Sequence, residues 1–453
     1  MKIRTLALIV IFISTLYAQE GQLNRNIKPD ERYKADVLLV VAHPDDETAV
    51  GSYLAKLIFD EHRKVAVIYT NRGQGGGNSI GIEQSQAMGE IREIEARKAL
   101  AKFGIENVWF LNGYDTPGQD VLHALKNLKH GAALESMVRF IRLTRPEVIF
   151  TWLPHFVAGE NHGDHQASGV VATEAFDMAG DPTAFPDQVA TPRERMDIGN
   201  FNEGLNPWQA NKIYYFSDAD EEVIAPGPKF DASEISPSRK LPYYEIASEL
   251  NTPHLTQGDV SESGLKAQKT GDFTEFKNYH NRFHLIFGKS VVRCSPEGDV
   301  FEGVTSGAHP YVAPRGYEPR KPEGLGIQLG GPFSFYEDFW RAHNIENVGP
   351  LIKPEINVAY GSYLNIPVII RNNTKDSVTV TLQAKLPEGF RLSSGEGRYF
   401  LAPGETYPIE TFVFAPAEAS RGPYEVIWNA LSDGKQIGSL SIKTFLSEWT
   451  LPQ

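Results

Sequence analysis

The 453-residue sequence holds a single cysteine, Cys294. One thiol rules out an internal disulfide framework and any cysteine-built structural zinc site. No histidine stands near it in sequence, so an idle or buried thiol is expected rather than a nucleophile. Positive charge is also scarce. Against 57 Asp and Glu there are 44 Lys and Arg, a formal net charge of -13. Such a chain repels phosphate backbones, which excludes nucleic acid as a partner, and it has no basic patch for anionic lipid. The ordinary meaning of the charge is solubility. Long apolar runs are missing as well: nothing approaches the ~20 residues of a bilayer span. Neither repeats nor low-complexity tracts occur.

The N-terminus reads as an export signal. Lys2 and Arg4 precede the apolar run Leu6 to Leu16, and Leu16-Tyr17-Ala18 resembles a cleavage site. Residues 1–18 are therefore set apart from the fold. The mature chain is expected in the periplasm or outside the cell, without a transmembrane segment. No cysteine follows the run to carry a lipid anchor.

What is present is an ordinary globular balance of 41% apolar and 22% charged residues, enough for two or three domains. Asp36 to Ala42 is a continuous apolar run, as in a strand buried on both faces. Strands are also expected at Val65 to Thr70, Asn107 to Leu111, Glu147 to Leu153 and Lys212 to Phe216. Between them, Val50, Leu54, Leu57 and Ile58, then Ala96, Ala99, Leu100 and Phe103, then Leu134, Met137, Val138 and Ile141 fall at helical spacing, and 166–179 looks helical. Strands alternating with helices imply an α/β fold with a parallel sheet, whose ligands bind beyond the carboxyl ends of the strands. Residues 217–345 read as an elaboration of this domain, with a helix near Phe273–Phe287. From about residue 352 short alternating strands, such as Ile366, Val368 and Ile370, are separated by turns like Pro403-Gly404 and Ser432-Asp433-Gly434. That pattern predicts an all-β, Ig-like sandwich. The expected domains are 30–345, with a core of 35–260, and 352–447, the boundary lying near Gly349-Pro350.

Two polar clusters sit at predicted strand ends. Ala42-His43-Pro44-Asp45-Asp46-Glu47 packs a histidine and acids into a turn, which is costly unless something positive binds there. Imidazole and carboxylate suit a first-row metal, and an unbound acid beside it can take a proton from water. The bland alternative is a helix N-cap made by Asp45 or Asp46. His162-Gly163-Asp164-His165 follows the fourth strand, and one of its histidines would complete a three-ligand site. The alternative there is a solvated loop with Asp164 as a cap.

Together, AHPDDE at 42–47 and HGDH at 162–165 resemble the LmbE/PIG-L family of zinc-dependent deacetylases, over roughly residues 35–216. The resemblance implies a Rossmann-like sheet flanked by helices and removal of acetyl groups from N-acetylglucosamine-type substrates. It implies that His43, Asp46 and His165 hold Zn2+, with other first-row ions possible. Asp45 resembles the general base. His162 resembles the group that stabilises the oxyanion or protonates the leaving amine, and Asp164 the neighbour that tunes it. Arg92 and Asp115 match substrate-contacting positions more loosely. Their alternatives are a surface pair of Arg92 with Glu95 and a turn aspartate. His254-Leu255-Thr256-Gln257 echoes a His-x-Ser-Gln element but has threonine for serine, and is left out of the site. The loop Arg72 to Gly77 lacks phosphate-loop spacing and reads as a flexible cleft wall.

Three functions follow as expectations: an N-deacetylase releasing acetate from an amino sugar, an amidase acting on another amide conjugate by the same machinery, and an inactive glycan-binding protein.

Overall fold

The computed structural model describes residues 28–190, 202–219, 222–305, 309–318 and 323–448. The export signal expected at 1–18 lies outside the described residues.

The five strands expected in the first half all form: β1 (Val37–Val41), β2 (Val65–Tyr69), β3 (Val108–Phe110), β4 (Val148–Trp152) and β5 (Lys212–Phe216). They pair in parallel in the order β3-β2-β1-β4-β5. Continuous apolar runs are needed because both faces of the sheet are covered. Leu38 and Val40 face one buried cluster with helices Val121–Asn127, His130–Thr144 and Gly163–Met178. Val37, Leu39 and Val41 face the other, with helices Gly51–Ala55, Gln86–Ala101 and Tyr243–Asn251.

The 217–345 region departs from the sequence reading in two places. Helix Thr274–Arg282 stops short of the expected Phe287, and Ile286–Ser290 becomes β6, antiparallel to β5 at the edge of the sheet. Burial of Ile286 against β5 outweighs helical continuation there. Further on, β7 (Gly324–Leu329) lies ahead of the expected boundary, yet it pairs antiparallel with β9 (Tyr363–Asn373). Its glycines hide the alternation that would mark a strand.

The C-terminal strands are β8 (Glu355–Ala359), β9, β10 (Val378–Lys385), β11 (Arg391–Ser394), β12 (Gly397–Leu401), β13 (Thr406–Phe414), β14 (Tyr424–Ser432) and β15 (Lys435–Ser447). They form a five-stranded sheet, β12-β10-β14-β15-β8, and a four-stranded sheet, β11-β13-β9-β7. Ile366 and Val368 of one sheet and Leu382 and Trp428 of the other share one buried cluster. The turn Asp433-Gly434 has φ of 50° and 73°, as a two-residue hairpin requires. The same buried cluster continues through helix Pro332–Ala342 to the α/β sheet, so the two parts meet across an apolar contact. Among the described residues no helix is long and apolar enough to cross a membrane.

Candidate active site

The carboxyl ends of β1 and β4 lie side by side and bring together the two motifs. His43 Nδ1 lies 3.0 Å from His165 Nε2, and Asp46 Oδ1 lies 3.2 Å from His165 Nε2 and 3.6 Å from His43 Nδ1. All three side chains are buried.

The hydrogen bonds around these groups fix what each can offer. His165 Nδ1 donates to Gly159 O at 2.7 Å, which leaves Nε2 as the nitrogen that faces the cluster and can hold a proton or a metal ion. Gly159 must be glycine, since a Cβ there would fall 2.6 Å from that Nδ1. Asp46 Oδ2 accepts from Ala42 N at 2.8 Å, His43 N at 3.1 Å and Trp152 Nε1 at 2.7 Å. Oδ1 is thereby left for something else. A nitrogen lone pair facing a carboxylate oxygen in a dry site repels unless a proton or a metal ion stands between them. Four-coordinate zinc with bonds of 2.0–2.1 Å separates its ligands by about 3.3 Å, in the range of these three spacings. The residues present therefore fit a metal ion, and His43, Asp46 and His165 form a group that could hold one.

The electrostatics agree. Burial would push the histidines down, but Asp46 draws His165 up to about 9, and Asp115 with its neighbours draws His43 well above its ordinary value. Burial would raise Asp46, yet the two histidines hold it well below the carboxylate range. The cluster is built to contain positive charge.

Asp45 stands beside it with φ 107°, a conformation disfavoured for any residue with a Cβ. Its amide donates to Glu47 Oε2 at 3.0 Å. Burial, and next the charge on Asp46, push its carboxyl up to about 8, so it binds a proton far more tightly than an exposed aspartate. His162 caps helix Gly163–Met178: its Nδ1 accepts from Asp164 N at 3.0 Å. Nε2 then carries the ring proton. Burial, followed by repulsion from His43 and His165, holds His162 neutral, well below its ordinary value. Asp164 is not the helix cap. Its Oδ2 accepts from Asn71 Nδ2 at 3.0 Å and Thr116 N at 2.9 Å, and lies 3.6 Å from His43 Nε2. Burial raises its pKa.

Asp115 is closer to the centre than a turn aspartate would be. Its Oδ1 lies 3.5 Å from His43 Nε2, and its Oδ2 accepts from Gly75 N at 2.8 Å. Burial opposes ionisation of Asp115, but His43 outweighs it and holds the carboxyl well below the usual range. Arg92 is buried rather than paired on the surface with Glu95. It donates through Nη1 to Gly73 O at 2.7 Å and through Nη2 to Gly77 O at 2.9 Å. The glycine-rich wall is thus tied down, not free.

Several site residues escaped the sequence reading. Trp152 stacks on His165 with ring centroids 4.4 Å apart. Glu47, fully buried, accepts from His254 Nε2 at 2.6 Å and Tyr69 Oη at 2.7 Å. The element set aside at 254–257 is therefore part of the site's support. Thr256 Oγ1 donates to Glu95 Oε2 at 2.6 Å, and Gln257 Nε2 donates to Pro44 O at 2.7 Å. Threonine serves here as serine would, because only the hydroxyl is used. Asp218 also lines the cavity; burial and then Glu160 push its carboxyl up to about 7.

These groups open onto a cavity of about 480 Å³, which Gly75, Gly76, Phe276, Tyr279 and His280 also line. That volume suits a small-molecule site.

Residues 38–176 match the family model described as PIG-L: GlcNAc-PI de-N-acetylase, and the chain carries a domain of that family there. A 1D-myo-inositol 2-acetamido-2-deoxy-alpha-D-glucopyranoside deacetylase of Frankia casuarinae is 27% identical over 39% of this chain and 57% of the relative. A mycothiol S-conjugate amidase of Streptomyces coelicolor is 26% identical over 60% of this chain and 98% of the relative. The chain spans 57% and 58% of the length of the first two curated relatives it matches. Among solved structures, the N,N'-diacetylchitobiose deacetylase of Pyrococcus horikoshii is similar at 17% identity and a TM-score of 0.37, over 61% of this chain and 92% of that one.

Proposed function

We propose that this chain is an exported, zinc-dependent N-deacetylase that hydrolyses the acetamide of an N-acetylglucosamine-type sugar. One observation carries the reading: His165 Nε2, His43 Nδ1 and Asp46 Oδ1 converge beside Asp45 in one cavity. A zinc ion held by His43, Asp46 and His165 would polarise the acetyl carbonyl and acidify water.

The chain's own residues do the rest. Asp45, with its raised proton affinity, takes a proton from the attacking water. His162 is neutral and carries its proton on Nε2, so it can donate a hydrogen bond to the oxyanion that forms at the carbonyl carbon. Asp164 keeps that imidazole's turn in place. The C–N bond breaks as the proton from Asp45 passes to the nitrogen, the second proton of the water then passes from the new carboxyl group to the amine, and acetate and an ammonium group leave. Arg92 and Asp115 hold the glycine-rich wall against which a sugar would rest. The C-terminal sheets fit an Ig-like module, and the N-terminal run Leu6–Leu16 supports export.

A second reading is an amidase acting on a larger acyl conjugate, favoured by the room between the metal cluster and the Phe276–Tyr279 wall. The test is product release from N-acyl glucosamines of increasing acyl length, presented as monomers, oligomers and inositol conjugates. The proposal expects acetyl substrates to be fastest. Preference for long acyl groups would support the amidase, and no turnover on any of them would overturn both.

A further inference from the structure

Strand β8 is the outer strand of its sheet, and an edge strand presents backbone groups without a neighbour. One side chain from the α/β part takes them. Gln119 Nε2 donates to Asn357 O at 2.8 Å, and Gln119 Oε1 accepts from Asn357 N at 2.9 Å. The amide supplies both bonds of a ladder step, and it is 8% exposed.

Gln119 belongs to the segment that follows β3 and carries Asp115 at the cavity. The same segment holds the HGDH turn at three points. Thr116 N donates to Asp164 Oδ2 at 2.9 Å, Gly163 N donates to Gly118 O at 2.8 Å, and Gln166 Nε2 donates to Gln119 O at 3.3 Å. The turn is also held from its other side: Asn161 Nδ2 donates to Glu355 O at 3.4 Å, and Gln166 Oε1 accepts from Tyr336 Oη at 2.7 Å. It needs holding, because Glu160 and Asn161, just before His162, have φ of 46° and 54°.

We infer that the C-terminal β sheets are a brace for the catalytic turn. Gln119 is the positioning residue through which edge strand β8 fixes His162, Asp164 and His165. The effect on turnover rests on the proposed deacetylase reading; the effect on the turn does not.

Two substitutions cut the link from opposite sides. Gln119→Ala removes the amide. Asn357→Pro removes one donor and spares the β15 ladder, since both backbone groups of Asn357 face Gln119. Amide hydrogen exchange on the full chain should quicken severalfold across 115–120 and 160–166 in either variant. The double variant should be no faster than the singles, as expected for two halves of one interaction. For acetate release, kcat should fall about tenfold with KM little changed, the low end for residues that orient metal ligands. Gln119→Glu, which keeps the acceptor for Asn357 N but turns a carboxylate oxygen on Asn357 O, should show both effects at least as strongly as Gln119→Ala. It also carries the comparison if the proline variant does not fold. Faster exchange confined to 355–359, with 160–166 unchanged, would overturn the brace. If exchange responds as expected and no variant or wild type releases acetate, the brace stands and the proposed activity falls.

Discussion

Trp152 Nε1 donates to Asp46 Oδ2 at 2.7 Å while the same indole stacks on His165, so one side chain sets the direction of two metal-binding candidates. Trp152→Phe keeps a ring over His165 and loses the donor. Metal affinity, measured by competition with a chelator, should fall by about 10–100-fold, as for other outer partners of metal ligands. Unchanged affinity would mean the two backbone amides on Oδ2 suffice.

Glu47 and His254 are both fully buried and bonded to each other. His254→Ala leaves the carboxylate with Tyr69 and the Asp45 amide alone. Breaking such a pair costs about 3–5 kcal/mol. Urea denaturation should show a loss of that order, together with loss of activity as the strained Asp45 relaxes. A loss within error of zero would contradict the role given to Glu47.

Arg92 bridges two carbonyls of the glycine-rich wall. Lysine has a point charge in place of a fork and cannot reach both. Arg92→Lys should raise KM about tenfold, the worth of one hydrogen bond to a charged group, with a smaller change in kcat. A fall in kcat alone would instead place Arg92 at the reacting atoms.

Burial pushes His155 and His280 down to about 3, against about 6.5 in an unfolded chain. Above pH 6.5 neither form is protonated and the two histidines add no pH dependence. Between pH 6.5 and about 3 only the unfolded chain takes up their protons, so stability falls as pH falls. The slope is about 1.4 kcal/mol per pH unit for each histidine. Urea midpoints at pH 7.5 and 5 should show the loss, and His155→Phe, whose ring can still stack on Trp340, should lessen it. An equal loss in the variant would remove His155 from the explanation.

The parallel sheet was legible because its strands are apolar on both faces, as Val37 to Val41 are. The grouping of His43, Asp46 and His165, which could hold a metal ion, was legible because His43 and Asp46 share one turn and His165 ends a second short motif. What sequence could not show are contacts between distant positions with ordinary residue types. Trp152 reads as a core tryptophan, Glu47 as a helix-start acid, and Gln119 as a loop amide. The His254–Gln257 element was visible, but its threonine hid that only a hydroxyl is required. Strand β7 was missed because glycines interrupt its pattern and its partner β9 lies beyond a helix.

The central claim is that His43, Asp46 and His165 hold a metal while Asp45 does the proton work. The most direct test measures metal content and acetate release in wild type, Asp45→Asn and His165→Ala. The account predicts one metal ion per chain in wild type and in Asp45→Asn, little metal in His165→Ala, and acetate release in wild type alone. Metal retained in His165→Ala, or undiminished acetate release by Asp45→Asn, would contradict it.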